Sequence, residues 1–300
     1  MANVQANGMT IEYDVRGAGE PLLMVMGLGG QLIDWPDEFA DLFVARGFQV
    51  VRFDNRDSGL SSKTDWTPPS QAKMMRSFLT RRPLADVGYT VADMADDAAA
   101  LLDALGLSQA HVVGMSMGGM IAQELAIRHP EKVLSMCSIM SNTGDGKNGG
   151  ISLGLMRKLA TRKPPTRASA VDDTVALMQA ISGTHFDAAD SHERAATAIE
   201  RCFTPDGVAR QTAAIAGSRD RTALLAGVKA RTLVIHGLAD PLVKRSGGEA
   251  TARAIPNARL LAFGDMAHDL PLPRWQEICD AIVRNARSSQ ASQTLAHQSA

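Results

Sequence analysis

Short apolar runs along the chain alternate with longer stretches in which apolar residues recur every third or fourth position. Residues 9–15 read as a first strand, closed by the turn Arg16-Gly17-Ala18-Gly19. Residues 21–26 and 48–53 are mostly apolar and have the length of buried strands. Between them, residues 35–46 carry apolar side chains at 35, 39, 42 and 43, a helical spacing, and Gly47 closes the segment. Residues 90–105 predict an amphipathic helix with Thr90 as N-cap, Asp93 at the third helical position and Gly106 beyond its end. The strand Ala110-His111-Val112-Val113 is followed by a helical run over 117–129. Residues 133–140, 232–236 and 259–263 complete the strands, and 246–254 and 274–287 are the helices after the last two.

Strands alternating with helices predict an α/β fold, a mostly parallel twisted sheet flanked by helices on both faces. In such sheets the functional crevice lies at the carboxyl ends of the strands. The alternation breaks over 141–221. After a glycine-rich entry at 144–150, the segments 153–161, 171–182, 188–203 and 206–216 are all helical in pattern and none reads as a strand. The expected organisation is a core domain of residues 1–140 and 222–287, a helical cap of residues 141–221 over the sheet edge, and a disordered tail of residues 288–300, rich in Ser, Gln and Ala.

Composition bears on partners and compartment. With 31 basic and 32 acidic residues, the net charge of −1 selects neither nucleic acid nor an anionic membrane. Cys137, Cys202 and Cys279 are odd in number and lack metal-ligand spacing, so they read as small buried apolar residues and no metal site is expected. The N-terminus lacks a basic and then apolar leader, and no apolar run approaches the length of a membrane span. A cytoplasmic protein is expected.

The chemistry concentrates in Gly114-Met115-Ser116-Met117-Gly118-Gly119. This is G-x-S-x-G-G between a strand and a helix, with serine at the apex. A strained turn there lifts the hydroxyl above the sheet, and small neighbours leave it room. A serine nucleophile needs a base, and the base an orienting carboxylate. His268, in the loop Gly264-Asp265-Met266-Ala267-His268-Asp269 past the last strand, is the candidate base. Asp240, in Gly237-Leu238-Ala239-Asp240-Pro241 past the preceding strand, is the candidate orienting acid, with Asp145 ranked second. The Ser, Asp, His order in the chain suits this arrangement. His236 reads as a satisfied strand-end residue, His111 lies too far down the strand, and His185 and His192 belong to the cap. For the oxyanion, the candidate donors are the N–H groups of Met117 and of Leu28, in Met26-Gly27-Leu28-Gly29-Gly30.

The methionines add a further pattern. There are 15 of them against 4% aromatic residues. Met115, Met117 and Met120 surround the serine turn, Met26 precedes the glycine loop, Met266 lies two residues before the base, and Met156 and Met178 fall in the cap. Thioether side chains adapt to irregular apolar ligands, so Met115, Met156, Met178 and Met266, with Gly27 and Gly29, form a candidate substrate pocket.

These motifs, together with Asp54-Asn55-Arg56-Asp57-Ser58-Gly59-Leu60-Ser61, resemble the α/β-hydrolase-fold serine esterases over roughly residues 8–287, the cap excepted. Trp35-Pro36-Asp37-Glu38-Phe39 and Arg52-Phe53-Asp54-Asn55-Arg56-Asp57-Ser58-Gly59 further resemble the aclacinomycin methylesterase-like branch. The resemblance implies an α/β-hydrolase fold with the cap inserted after its sixth strand, here 133–140. It also implies hydrolysis of small to medium apolar carboxylic esters through an acyl-serine, with no cofactor. Met26 stands where the oxyanion loop usually has His, and Asp57 where the arginine loop usually has Gly; both variants occur in that branch. Serine at the elbow sets the chain apart from relatives that use Asp to attack alkyl substrates. The same triad also serves C–C bond, lactone and thioester hydrolysis and acyl transfer, and some members of the fold are small-molecule receptors.

Overall fold

The computed structural model describes residues 1–80, 82–161 and 165–298, with side chains through residue 288. Among the described residues, eight strands form one sheet: β1 (Ala2–Ala6), β2 (Met9–Arg16), β3 (Glu20–Val25), β4 (Phe48–Phe53), β5 (Ala110–Met115), β6 (Val133–Ile139), β7 (Arg231–Gly237) and β8 (Arg259–Phe263). Their spatial order is β1-β2-β4-β3-β5-β6-β7-β8. The first two strands run antiparallel to their neighbours, and β4, β3, β5, β6, β7 and β8 are mutually parallel. β3 and β5 lie side by side and parallel, but the chain goes on from β3 to β4 on one side and from β5 to β6 on the other. Their carboxyl ends therefore flank the switch point where a crevice opens. Those ends carry the glycine loop and Ser116.

Helices α1 (Asp37–Val44), α2 (Gln71–Thr80), α3 (Val91–Ala104) and α4 (Met117–Arg128) come before the β6–β7 connection. That connection holds α5 (Leu153–Ala160), α6 (Ala170–Ile181), α7 (Ala188–Arg201), α8 (Pro205–Gly217) and the short α9 (Thr222–Leu225). Then α10 (Ser246–Ala254) and α11 (Trp275–Gln298) complete the chain. Alternate strand residues feed two cores. Leu23, Val25, Val51 and Val112 join Met94, Leu101, Leu102, Ile121 and Leu125 of α3 and α4 on one face. Leu22, Met24, Val50, Val113 and Ile235 join Phe39, Phe43, Trp275, Ile278 and Ile282 of α1 and α11 on the other. This two-sided burial is why the parallel strands read as apolar runs.

Thr90 caps α3 as expected: the Asp93 carboxylate accepts the Thr90 N–H at 2.7 Å. Three elements differ from the sequence reading. β1 was not foreseen; it is an exposed edge strand, held to β2 by the Asn7-Gly8 turn, where both residues have positive φ. α2 was likewise not foreseen and buries mainly Met74. α11 continues to Gln298 through most of the expected disordered tail, which has no Gly or Pro to stop a helix. Residues 299–300 lie outside the described residues. Cys137 and Cys279 are buried and Cys202 is half-buried; none is disulfide-bonded. No helix among the described residues is long and apolar enough to cross a membrane.

Candidate active site

β5 ends at Met115 and α4 begins at Met117, so Ser116 is a single-residue corner. Its φ of 57° and ψ of −119° belong to a region that residues with a side chain rarely enter. The neighbourhood over-determines that strain. Ser116 N–H donates to the Ile139 carbonyl at 2.9 Å, and the Ser116 carbonyl accepts the Gly119 N–H at 2.9 Å. A Cβ on Gly114 would lie 2.1 Å from the Gly118 carbonyl oxygen, and one on Gly118 2.0 Å from that of Val25. Only glycine lets the helix start this close to the strands.

His268 and Asp240 meet the serine from the loops after β8 and β7. The His268 Nε2 lies 3.0 Å from Ser116 Oγ, and its Nδ1 lies 2.8 Å from Asp240 Oδ2. An ionised carboxylate only accepts, so Nδ1–H donates to Asp240 and the bare Nε2 accepts the serine O–H. Asp240 Oδ1 in turn accepts the N–H groups of Leu242 and Val243, both at 2.8 Å. His236 completes the cradle by donating Nε2–H to the Val243 carbonyl at 2.7 Å. Burial holds the His236 imidazole below its ordinary pKa, against the raising influence of Val243 and Asp240, so it sits there neutral. Asp145 turns elsewhere: its carboxylate accepts from the N–H groups of Lys147 and Asn148 and from the Asn148 amide. His185 pairs with Asp265 at 2.8 Å, and His192 is exposed.

The candidate oxyanion loop is a tight turn. Gly30 N–H donates to the Gly27 carbonyl at 3.2 Å, and Gly29, third of the four residues, has φ of 69°, the signature of a type II turn. A Cβ on Gly27 would fall 3.1 Å from Ser116 Cβ, so the turn abuts the serine. Met117 opens α4, and its N–H has no carbonyl behind it in the helix. Residues 54–61 brace the turn. Asn55 Nδ2 donates to the Met26 carbonyl at 3.0 Å, Ser58 Oγ to that of Gly30 at 2.6 Å, and Asp54 Oδ1 accepts the Leu32 N–H at 2.7 Å. Arg56 pairs with Asp97, and Asp57 with Arg210.

Four of the seven methionines singled out by sequence, Met26, Met117, Met120 and Met266, are buried in the two cores. Met117 is fully buried in the α3–α4 core, and Met266, a candidate pocket residue, is fully buried in the α1–α11 core. Met115, Met156 and Met178 are half-buried. Sequence reasoning missed Gln31, Arg201 and Gln211. Gln31 donates to the Ala198 and Cys202 carbonyls at 2.6 and 3.2 Å, and Arg201 pairs with buried Asp54 at 2.8 Å. Each joins the core to the β6–β7 helices over some 150 residues or more of sequence, and no local pattern signals such a contact. Among the described residues, no group of three or more His, Cys, Asp and Glu is arranged to hold a metal ion.

The chain is 27% identical, over 91% of its length and 92% of the relative's, to the rhodomycin D methylesterase DauP of Streptomyces sp. (strain C5). It is also 27% identical, over the same shares, to the rhodomycin D methylesterase DnrP of Streptomyces peucetius. Its backbone matches the enol-lactonase of Burkholderia xenovorans LB400 with a TM-score of 0.69 at 22% identity, covering 95% of this chain and 99% of that one. A thermophilic esterase from Thermogutta terrifontis matches with a TM-score of 0.70 at 21% identity, covering 96% and 99%. The profile of the alpha/beta hydrolase fold family matches residues 20–274, and the chain belongs to that family.

Proposed function

We propose that this chain is a serine carboxylic ester hydrolase in which Ser116 is the nucleophile, His268 the general base and acid, and Asp240 the orienting carboxylate. The hydrogen-bonded line from Asp240 through His268 to Ser116, at 2.8 and 3.0 Å, carries this assignment. As Ser116 Oγ attacks an ester carbonyl, its proton passes to His268 Nε2, and Asp240 stabilises the imidazolium. The N–H groups of Leu28 and Met117 receive the oxyanion. Collapse of the tetrahedral intermediate breaks the C–O bond, with the imidazolium proton leaving on the alcohol. Water, deprotonated by His268, then releases the acid from Ser116. No step calls on a cofactor.

The substrate we assign is a small to medium apolar ester. The similarity to two methylesterases supports it. So do Leu28 and Leu238, 41% and 46% exposed on the loops that carry the oxyanion turn and Asp240. Helices α5 to α8 serve as the cap, and Met115, Met156 and Met178 are offered as its adaptable lining. The test is hydrolysis of p-nitrophenyl esters from acetate to laurate, wild type beside Ser116→Ala. Serine-dependent release with a chain-length optimum is expected, and Ser116→Ala should lose about 10³-fold or more in kcat. No release from folded wild-type protein would overturn the ester assignment in favour of C–C hydrolysis or a receptor role.

A further inference from the structure

Given the ester-hydrolase assignment on which it depends, we infer that Gln211, in the helical insert, is a positioning residue for the oxyanion turn. Gln211 lies mid-way along α8 and is fully buried. Its Oε1 accepts the Gly29 N–H at 2.7 Å, and its Nε2 donates to the Arg56 carbonyl at 2.7 Å. One amide thus spans the oxyanion turn and the segment that braces it. Val208, one turn earlier on the same helix, presses on the same spot: a Cβ on Gly29 would lie 2.9 Å from Val208 Cγ2.

The turn needs such a hold. Three of its four residues are glycine, which has little preference of its own among turn conformations. Types I and II differ in the orientation of the central peptide, here the 28–29 unit, whose N–H belongs to Gly29. By accepting that N–H, Gln211 holds the turn in its type II form, and the closing bond from Gly30 N–H to the Gly27 carbonyl then orients the 27–28 peptide unit, to which the Leu28 N–H belongs. Hydrogen bonds weaken steeply off axis, and one oxyanion donor is worth on the order of 10²–10³ in rate. The bond from Gly29 therefore makes α8 a part of the catalytic geometry and not only a cover over it.

Gln211→Met, close in size but without hydrogen bonds, should lower kcat about 10- to 100-fold on a p-nitrophenyl ester with KM nearly unchanged. Its affinity for an alkyl trifluoromethyl ketone, which adds Ser116 and presents an oxyanion, should fall by a similar factor. Gln211→Glu keeps the acceptor for Gly29 and should recover part of the loss. If the Met variant does not fold, Gln211→Asn, one methylene short, should show the same split. A purely structural role would lower the melting temperature while leaving kcat per folded enzyme and ketone affinity at wild-type values, and that result overturns the inference. Ser116→Ala, run alongside, separates the two failures. Release that survives it removes the hydrolase assignment and the inference together, whereas serine-dependent release with full kcat in the Met or Asn variant removes Gln211 alone.

Discussion

The backbone N–H of His268 donates to the carbonyl oxygen of Ile181 at 2.8 Å, so the loop that presents the imidazole is tied to the last residue of α6. The contact continues along both segments. Gly183 N–H donates to Asp269 Oδ2 at 3.1 Å, and Thr184 N–H to the Asp265 carbonyl at 3.2 Å. His185 pairs with the Asp265 carboxylate, which Arg274 also holds. The insert thus grips the candidate base from one side, as Gln211 grips the candidate oxyanion turn from another. Gly183 sits at the closest approach: a Cβ there would lie 2.4 Å from the Asp265 carbonyl oxygen and 3.1 Å from the Ala267 nitrogen. Gly183→Ala must push the two segments apart. We expect kcat to fall about tenfold, because small displacements of a positioned catalytic group are expensive, with only a modest loss of thermal stability. Steady-state kinetics beside a thermal melt decide it; wild-type kcat would mean that the His268 loop keeps its geometry without α6.

Replacing Asp240 by Asn keeps the side chain's size and its acceptor for the Leu242 and Val243 N–H groups. The amide would place a donor against His268 Nδ1 and favour the wrong tautomer. We expect kcat to drop about 10²- to 10⁴-fold, less than for Ser116→Ala or His268→Ala. Asp145→Asn should have no comparable effect, since Asp145 is engaged with Lys147 and Asn148. Parallel kinetics of the two variants on one p-nitrophenyl ester test the assignment, and a larger loss from Asp145→Asn would reverse it.

What the sequence disclosed follows from how locally each feature is encoded. The Ser116 corner needs a strand, three close-packed glycines and a helix start in immediate succession, so it can be read from consecutive residues. Asp240 and His268 could be picked as candidates because each follows a strand of the parallel set, β7 and β8, and parallel strands deliver their following loops to one end of the sheet. The edge strand β1 was not, because its side chains are mostly exposed and only the Asn7-Gly8 pair marks the hairpin. Nearness to His268 in sequence marks Met266 as a pocket residue, yet its side chain is packed in the core. The bond from Gly29 to Gln211 joins positions 182 residues apart and has no local signature.

Asp34 offers a prediction in pH. Enclosure by the protein pushes its carboxyl up from 3.8 to about 6; the Gln31 N–H opposes this, Asp54 adds to it, and Arg194 and Arg201 pull it back. Between pH about 4 and 6 the folded chain therefore holds a proton at Asp34 that the unfolded chain has released. Stability falls as pH rises through that window and stays lower above it. Two pH units correspond to at most about 3 kcal/mol, and because part of the residue still reaches solvent we expect about 1–2 kcal/mol. Asn in its place can still accept the Gln31 N–H, the 2.7 Å bond that Asp34 Oδ2 makes now, without carrying the charge. Asp34→Asn should accordingly raise the thermal midpoint by a few degrees at pH 7.5, and its advantage should shrink toward zero as the pH approaches 4. Melting curves of the two proteins across that range are the measurement. A difference that does not change between pH 4 and 7.5 would mean that Asp34 titrates as an ordinary carboxylate. A variant that is less stable at pH 7.5 would mean that attraction to Arg194 and Arg201 outweighs the desolvation of the charge.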